Sequence, residues 1–278
     1  MKLILVMLNN FQNYILDNID NLKRFGNNDI TVITDRKFKD KFSNKQVKII
    51  PVEDIIPNYT DYINSLKHTF RNGFWELTSF RFNVLYHYMN KYNITKIVHI
   101  ENDILIYTDL DKIIFHQPNK LLLTMDAYNR CIPGIMYIPN ANVLGICLKL
   151  FKKNLNDMQN FAICFHNSNV VDTLPIFIDN TYVTNKFKPI GCNFDKYNCI
   201  FDAAAIGQYL GGIDPRIHGK MMVGFVNETC IVDYSKYNFV WENINGLSRP
   251  FIIIDNIKIP IINLHIHSKN IRKFMDDI

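Results

Sequence analysis

Two acidic residues separated by a single residue, Glu101 and Asp103, follow an apolar run in the segment KIVHIENDILIY. Side chains alternate along an extended segment, so these two carboxylates point the same way and can converge on one cation. Two carboxylates completed by water or phosphate oxygens make a hard-oxygen site that suits Mg²⁺ or Mn²⁺. Taken alone, the pair reads as exposed loop acids, one of them capping the segment after Leu105. A late segment, NLHIHSKNIRKF, changes that reading. It sets His265 and His267 on one face of an expected strand together with Asn263, and Lys269 follows at the strand's end. Imidazole is a good ligand for Mn²⁺-like ions, and a lysine beside it binds phosphate as a point charge. Acids, histidines and lysine taken together point to a metal beside a diphosphate.

Two further segments carry chemistry. Arg81 sits in the strongly apolar stretch FWELTSFRFNVLYHYMN, where a buried guanidinium needs an anion. That anion could be an aspartate, a phosphate or the acidic pair itself. In FDAAAIGQYLGG, Ala203, Ala204, Ala205 and Gly207 permit close approach of a helix to another backbone or a ligand, and Gly211-Gly212 ends the helix. Asp202 at its start is either a helix cap or a catalytic carboxylate.

The elements that must position these residues read as one α/β unit. Leu3 to Leu8 is a continuous apolar run, as expected for a strand buried on both faces. A helix over 10–25 is broken at Gly26, Ile30 to Thr34 forms a second strand ending at Asp35, and VKIIPV a third. The spacing predicts a long buried helix over 74–90 leading into a strand at Ile97 to Ile100. NKLLLTMDA and GIMYIPN are strand-like, and helices follow over 141–153 and 201–210. The last quarter alternates short apolar runs with Asn-Gly and Asp-Asn breaks, which predicts antiparallel strands finishing at 261–267. No repeat, low-complexity tract or Gly/Ser linker divides the chain, so the expectation is a single domain.

Composition sets bounds. With 48% hydrophobic residues and 13% aromatics among 278, the chain can bury a sizeable core and is not of disordered type. A net charge of +5 suits an anionic small molecule as well as a polyanion, so alone it decides nothing. Lysines and arginines are spread along the chain without a basic block, which speaks against nucleic acid as a partner. The cysteines, Cys131, Cys147, Cys164, Cys192, Cys199 and Cys230, form no CxxC pair and read as buried free thiols of a reducing compartment. The first apolar stretch is too short for a signal peptide or membrane span. The expectation is a soluble, cytoplasmic protein (host cytoplasm if viral), for which the Asn-x-Thr sequences at Asn58, Asn93 and Asn227 carry no glycans.

HIENDILIY, with Glu101 in place of a first Asp, resembles the D-x-D segment of GT-A nucleotide-sugar glycosyltransferases. NLHIHSK resembles the late His and Lys of that family, TSFRFNVL its donor-contacting Arg segment, and FDAAAIGQYLGG its acceptor-side acidic helix. The order extends over essentially the whole chain, with the flavour of bacterial and large-DNA-virus sugar transferases. The resemblance implies a GT-A-like, Rossmann-like mixed sheet, mainly parallel and flanked by helices, with a smaller antiparallel C-terminal part. It implies a nucleotide-binding half over about 1–110 and an acceptor and metal-completing half over about 111–278. Asp103 and one of His265 or His267 would hold Mn²⁺ or Mg²⁺. Glu101 would assist, directly or through ribose or water. Lys269, Arg81, Asn102 and Asp35 would contact a nucleoside-diphosphate sugar, with UDP as the nucleotide. Asp202, then Asp195 and Asp126, are the carboxylates that could take the proton of a glycan, protein or lipid-linked acceptor, with peripheral membrane contact in the last case. A sugar-phosphate nucleotidyltransferase is the alternative, although VMLNNFQNY after the first strand lacks the glycines and basic residues that cradle a triphosphate. A non-catalytic protein on the same scaffold need not keep acid, His and Lys together.

Overall fold

The computed structural model describes residues 1–66, 73–178, 193–211 and 223–275. In chain order its elements are β1 (Lys2–Met7), α1 (Tyr14–Arg24), β2 (Ile30–Thr34), β3 (Lys48–Pro51), α2 (Tyr59–Ser65), α3 (Phe74–Tyr92), β4 (Ile97–Ile100) and β5 (Ile104–Ile106). There follow β6 (Leu121–Ala127), β7 (Arg130–Ile138), α4 (Ala141–Leu150), α5 (Asp157–Asn167), β8 (Val171–Thr173), α6 (Phe194–Tyr197) and α7 (Ile206–Gly211). The chain ends with β9 (Asn238–Ile244), β10 (Leu247–Ile254), β11 (Ile257–Pro260) and β12 (Asn263–His265).

Alternation along β1 shows why the sheet is a central layer. Leu3, Leu5 and Met7 pack against Ile15, Ile19 and Leu22 of α1, while Ile4 and Val6 face Phe82, Leu85 and Tyr88 of α3. Both faces of the strand are apolar because helices cover both, which is the pattern of a buried parallel strand. The main sheet has seven strands in the order β3-β2-β1-β4-β7-β6-β8. β3, β2, β1 and β4 are mutually parallel, β7 alone runs the other way, and β8 is parallel to β6. β9, β10 and β11 form a separate antiparallel sheet. The expected mixed, mainly parallel sheet with a smaller antiparallel part is the one observed.

Because β1, β2, β3 and β4 share a direction, their carboxyl ends lie on one edge, where ligands of open α/β sheets gather. After Ile100 the chain turns back, with Ile104 N–H donating to the Glu101 carbonyl at 3.1 Å. β5 then leaves the main sheet and pairs antiparallel with β12, Ile104 opposite His265 and Ile106 opposite Asn263. Three asparagines of α1 and its end hold this segment from behind. Asn18, Asn21 and Asn27 donate their amides to the carbonyls of Asn102, Ile106 and Thr108 at 3.0, 2.8 and 2.9 Å. They thereby satisfy main-chain acceptors that no strand reaches.

Several boundaries differ from the sequence expectation. α1 begins at Tyr14 rather than at 10, because residue 9 turns through a left-handed conformation (Asn9 φ 68°). α7 begins at Ile206 rather than at 201; the preceding residues are held out of the helix, with Ala204 at φ 58°. α4 stops at Leu150, and β12 covers only Asn263–His265, so His267 lies beyond it. β5, β8, α2, α5 and α6 were not anticipated. Gly212 and Cys192 lie outside the described residues. The five described cysteines are free, and four of them are buried.

The asparagine rungs should be measurable. Asn21→Leu keeps the bulk but strands the buried Ile106 carbonyl, so urea denaturation should show a loss of about 1–3 kcal/mol, against no more than about 0.5 kcal/mol for an exposed control site.

Candidate functional site

The turn after β4 and the end of β12 meet at the carboxyl edge. One donor atom each from Glu101, Asp103 and His265 lies within 4.8 Å of the others. His265 Nε2 is 3.3 Å from Glu101 Oε2 and 3.3 Å from Asp103 Oδ2. Lys269, 166 residues along from Asp103, forms an ion pair with its Oδ2. The lysine reaches it from a tight turn, in which its N–H bonds the Ile266 carbonyl at 3.0 Å and its own φ is 63°. A non-glycine residue in that region is a local strain that the surrounding structure must hold. Arg81 reaches the cluster from α3 and is 8% exposed. It pairs with Glu101 Oε1 and, at 3.1 Å, with Asp157 Oδ2. Of the anions that sequence left open for it, it takes one member of the acidic pair, Glu101, and an aspartate, Asp157.

Burial and charge oppose each other here. Burial pushes the Glu101 carboxyl up, but Arg81 and then His265 outweigh it and hold the group below the usual range. Asp103 behaves likewise, held well down by Lys269 and His265 against burial. For His265 burial favours the neutral ring, yet Asp103 and Glu101 outweigh it and raise its pKa. The acids are therefore ionised ligands in waiting, and two oxygens with one imidazole nitrogen form a donor set suited to Mn²⁺ and, through its carboxylates, to Mg²⁺. Such an ion and a protonated His265 would exclude each other.

Glycine makes the convergence possible at two points. A Cβ on Gly134 of β7 would lie 2.6 Å from Ile104 Cδ1, 3.3 Å from His265 Nδ1 and 3.5 Å from Glu101 Oε2. A Cβ on Gly207 of α7 would lie 2.2 Å from the His265 carbonyl oxygen. The small-residue segment thus serves the close helix-to-backbone approach read from sequence.

The remaining expected residues are placed differently. Asp202 is 1% exposed. Its Oδ1 accepts the N–H groups of Ala205 and Ile206, both at 2.8 Å, and its Oδ2 those of Gly207 at 2.8 Å and His265 at 2.9 Å. That is the capping arrangement, extended to β12, and it occupies both oxygens. Burial outweighs these bonds in its pKa, which is raised. Asp126 is buried and paired with Arg130 through both oxygens. Asp195 is exposed on α6, and none of the cluster's bonds reaches it. Asn102 turns away from the cluster, donating to the Val6 carbonyl at 3.1 Å and to Gln12 Oε1 at 2.6 Å. Asp35 lies on the same sheet edge, accepting from Asn9 N–H at 2.7 Å and the Tyr59 hydroxyl at 3.1 Å. Its pKa is raised, chiefly by burial. His267 is outside the three-donor group, its ring centre 4.4 Å from that of His265.

Sequence reasoning missed Asp157, Gly134 and the asparagine rungs. Asp157 follows Asn156, which with Gln159 forms a capping box at the start of α5. The rungs were visible as polar residues on the apolar face of α1, three apart at Asn18 and Asn21.

The parallel run β3-β2-β1-β4, the reversed β7 and an acidic turn closed by a late strand complete the picture. The fold is GT-A-like. Solved structures similar to it include the galactosyltransferase LgtC in complex with donor and acceptor sugar analogs. It shares 11% identity, with 63% of this chain and 73% of that one covered at a TM-score of 0.43. The glycosyltransferase GlyE of Streptococcus pneumoniae shares 12%, covering 62% of this chain and 44% of its own at 0.42, so this chain spans under half of GlyE. A glycosyltransferase involved in glycosylation of the major capsid of PBCV-1 shares 8%, covering 71% and 90% at 0.37. These overlaps are partial, and the fold reading rests on sheet order and strand direction. No protein-family model and no curated protein matches the sequence.

The role of Asp202 has a direct test. Asp202→Asn turns one acceptor into an NH₂ group facing backbone N–H donors, so urea denaturation should show a loss of about 3 kcal/mol or more. Gly207→Ala should also be strongly destabilising, since the obstruction is backbone and cannot swing aside.

Proposed function

We propose that the chain, read as a single domain over 1–278, is a metal-dependent glycosyltransferase. It would move a sugar from a nucleoside-diphosphate sugar, with UDP as the nucleotide, to a hydroxyl acceptor. The observation that carries this is the convergence of Glu101, Asp103 and His265 beside Lys269 at the carboxyl edge of the parallel strands. Asp103 and His265 would hold Mn²⁺ or Mg²⁺, with Glu101 as a third ligand kept in place by Arg81. When bound, the cation supplies positive charge to the two phosphates as the diphosphate leaves.

The chain's own groups do the rest. Lys269 exchanges Asp103 for a phosphate oxygen when the donor is present, so its charge is used where negative charge develops. Arg81 stays with Glu101 and Asp157 and orients the first carboxylate rather than reaching the substrate. Asp35, with Asn9 and Tyr59 around it, receives the nucleoside at the end of β2. For an inverting reaction a carboxylate must accept the acceptor's proton. Asp202 and Asp126 are committed to backbone N–H groups and to Arg130. Asp195, exposed on α6 and without a hydrogen bond or ion pair of its side chain among the described residues, keeps its oxygens available and is the one we assign. Asp202 is a positioning residue on this reading. The free, mostly buried cysteines suit a cytoplasmic setting.

Thermal-shift screening of nucleotide sugars with Mn²⁺ should find a UDP-sugar that raises Tm only when the metal is present, and EDTA should abolish the effect. Binding that ignores EDTA would sink the metal reading. Asp103→Asn should lower turnover about 100-fold or more with the fold intact, as judged by circular dichroism beside a transfer assay. Release of pyrophosphate from a nucleoside triphosphate and a sugar phosphate would favour nucleotidyl transfer instead.

A further inference from the structure

His267 lies beside the cluster but outside its donor group, and the metal reading leaves it without a task. The hydrogen bonds behind it begin at a group of fixed polarity, the backbone N–H of Thr229, which can only donate. It donates to Asn227 Oδ1 at 3.1 Å, and the Thr229 hydroxyl does so at 2.5 Å. This fixes the orientation of the Asn227 amide, whose Nδ2 then donates to Gln208 Oε1 at 3.0 Å. Gln208 is oriented in turn, and its Nε2 faces His267 Nδ1 at 3.3 Å. An amide NH₂ only donates, so Nδ1 must carry the lone pair and the neutral ring must carry its proton on Nε2. Flipping either amide would set two donors face to face.

That Nε2–H is enclosed and has no hydrogen-bond partner among the described residues. An unsatisfied buried donor is costly to keep, and this one is kept two residues from Lys269, in the turn that follows β12. We propose that Asn227 and Gln208 lock His267 as an Nε2–H donor to a phosphate oxygen of the bound nucleotide. His265 is then the only one of the two histidines to give a nitrogen to the metal. Gln208 and Asn227 are positioning residues, acting through His267. The phosphate as acceptor rests on the functional reading above; the tautomer lock does not.

Two measurements separate the parts. Long-range ¹H–¹⁵N correlation spectra of the metal-free, nucleotide-free protein at neutral pH should show His267 as the Nε2–H tautomer. Gln208→Glu presents an acceptor to Nδ1. Asn227→Asp makes the Gln208 amide flip and do the same from one residue further away. Both should move the signal to a ring protonated at Nδ1, a change that a merely structural role would not produce. The wild-type spectrum needs no variant to fold, and an Nδ1–H signal in it overturns the lock. In calorimetry His267→Phe should leave the affinity for Mn²⁺ alone within about twofold, while UDP binding at saturating Mn²⁺ weakens about tenfold, as expected for a lost hydrogen bond to a charged group. His265→Phe should abolish Mn²⁺ binding. A His267→Phe loss of Mn²⁺ affinity as large as that of His265→Phe overturns the division of roles. Wild-type protein that binds no Mn²⁺ overturns the metal reading, while an Nε2–H spectrum still upholds the lock.

Discussion

The pairing of β5 with β12 joins two three-residue strands from distant parts of the chain, and the whole site depends on it. So short a ladder is marginal by itself. It persists because both strands are held from outside. Asn18, Asn21 and Asn27 take up the carbonyls along and around β5. Asp202 takes the backbone N–H of His265 in β12 and three N–H groups at the start of α7. One buried carboxylate therefore sets the position of the strand that carries His265 and of the helix that carries Gln208. Gly207 allows the two to touch.

Charge is arranged around the same pairing. Glu101, Asp103 and Asp157 would repel one another if buried together without cations, and Arg81 pairs with Glu101 and Asp157 while Lys269 pairs with Asp103. Arg81 is the fixed member, itself buried on α3 and shared between two acids, with a planar fork suited to holding both. Lys269 is the movable one, a flexible stem 30% exposed at its side chain. Such a division suits a site in which one cation orients a ligand and the other changes partner.

Much of this was legible in the residues. β1, β2 and β4 are read correctly because both faces of a parallel strand are buried, which leaves an unbroken apolar run. The long helix α3 follows from periodicity, and the place of the acid pair from the apolar run of β4 before it; the pair itself sits in a turn, where alternation along an extended segment does not apply. Less was legible where tertiary contacts override local preference. α7 is shorter than its sequence suggests because Asp202 draws its cap bonds from three successive residues and from β12. Asn102, between the acids in sequence, faces β1 and Gln12 instead, since the turn aims it away from them. Asp157 could not be connected to Arg81 at all, because the contact spans 76 residues and has no local pattern.

By itself the sequence determined that the chain is α/β, that Glu101 and Asp103 stand together at the end of a buried strand, and that His265, His267 and Lys269 stand close together. Those are consequences of unbroken apolar runs and of residues a few positions apart; that the two acids converge through a turn, and not along an extended segment, came from the structure. Only the tertiary structure decided that His265 rather than His267 meets the acids, that Arg81 bridges Glu101 to Asp157, and that Asp202 is spent on backbone N–H groups. Each of those depends on which distant group, side chain or backbone N–H, the fold brings to a given carboxylate. That is settled by strand register and by the close approach glycine permits at positions 134 and 207, neither of which is written in any local run of residues.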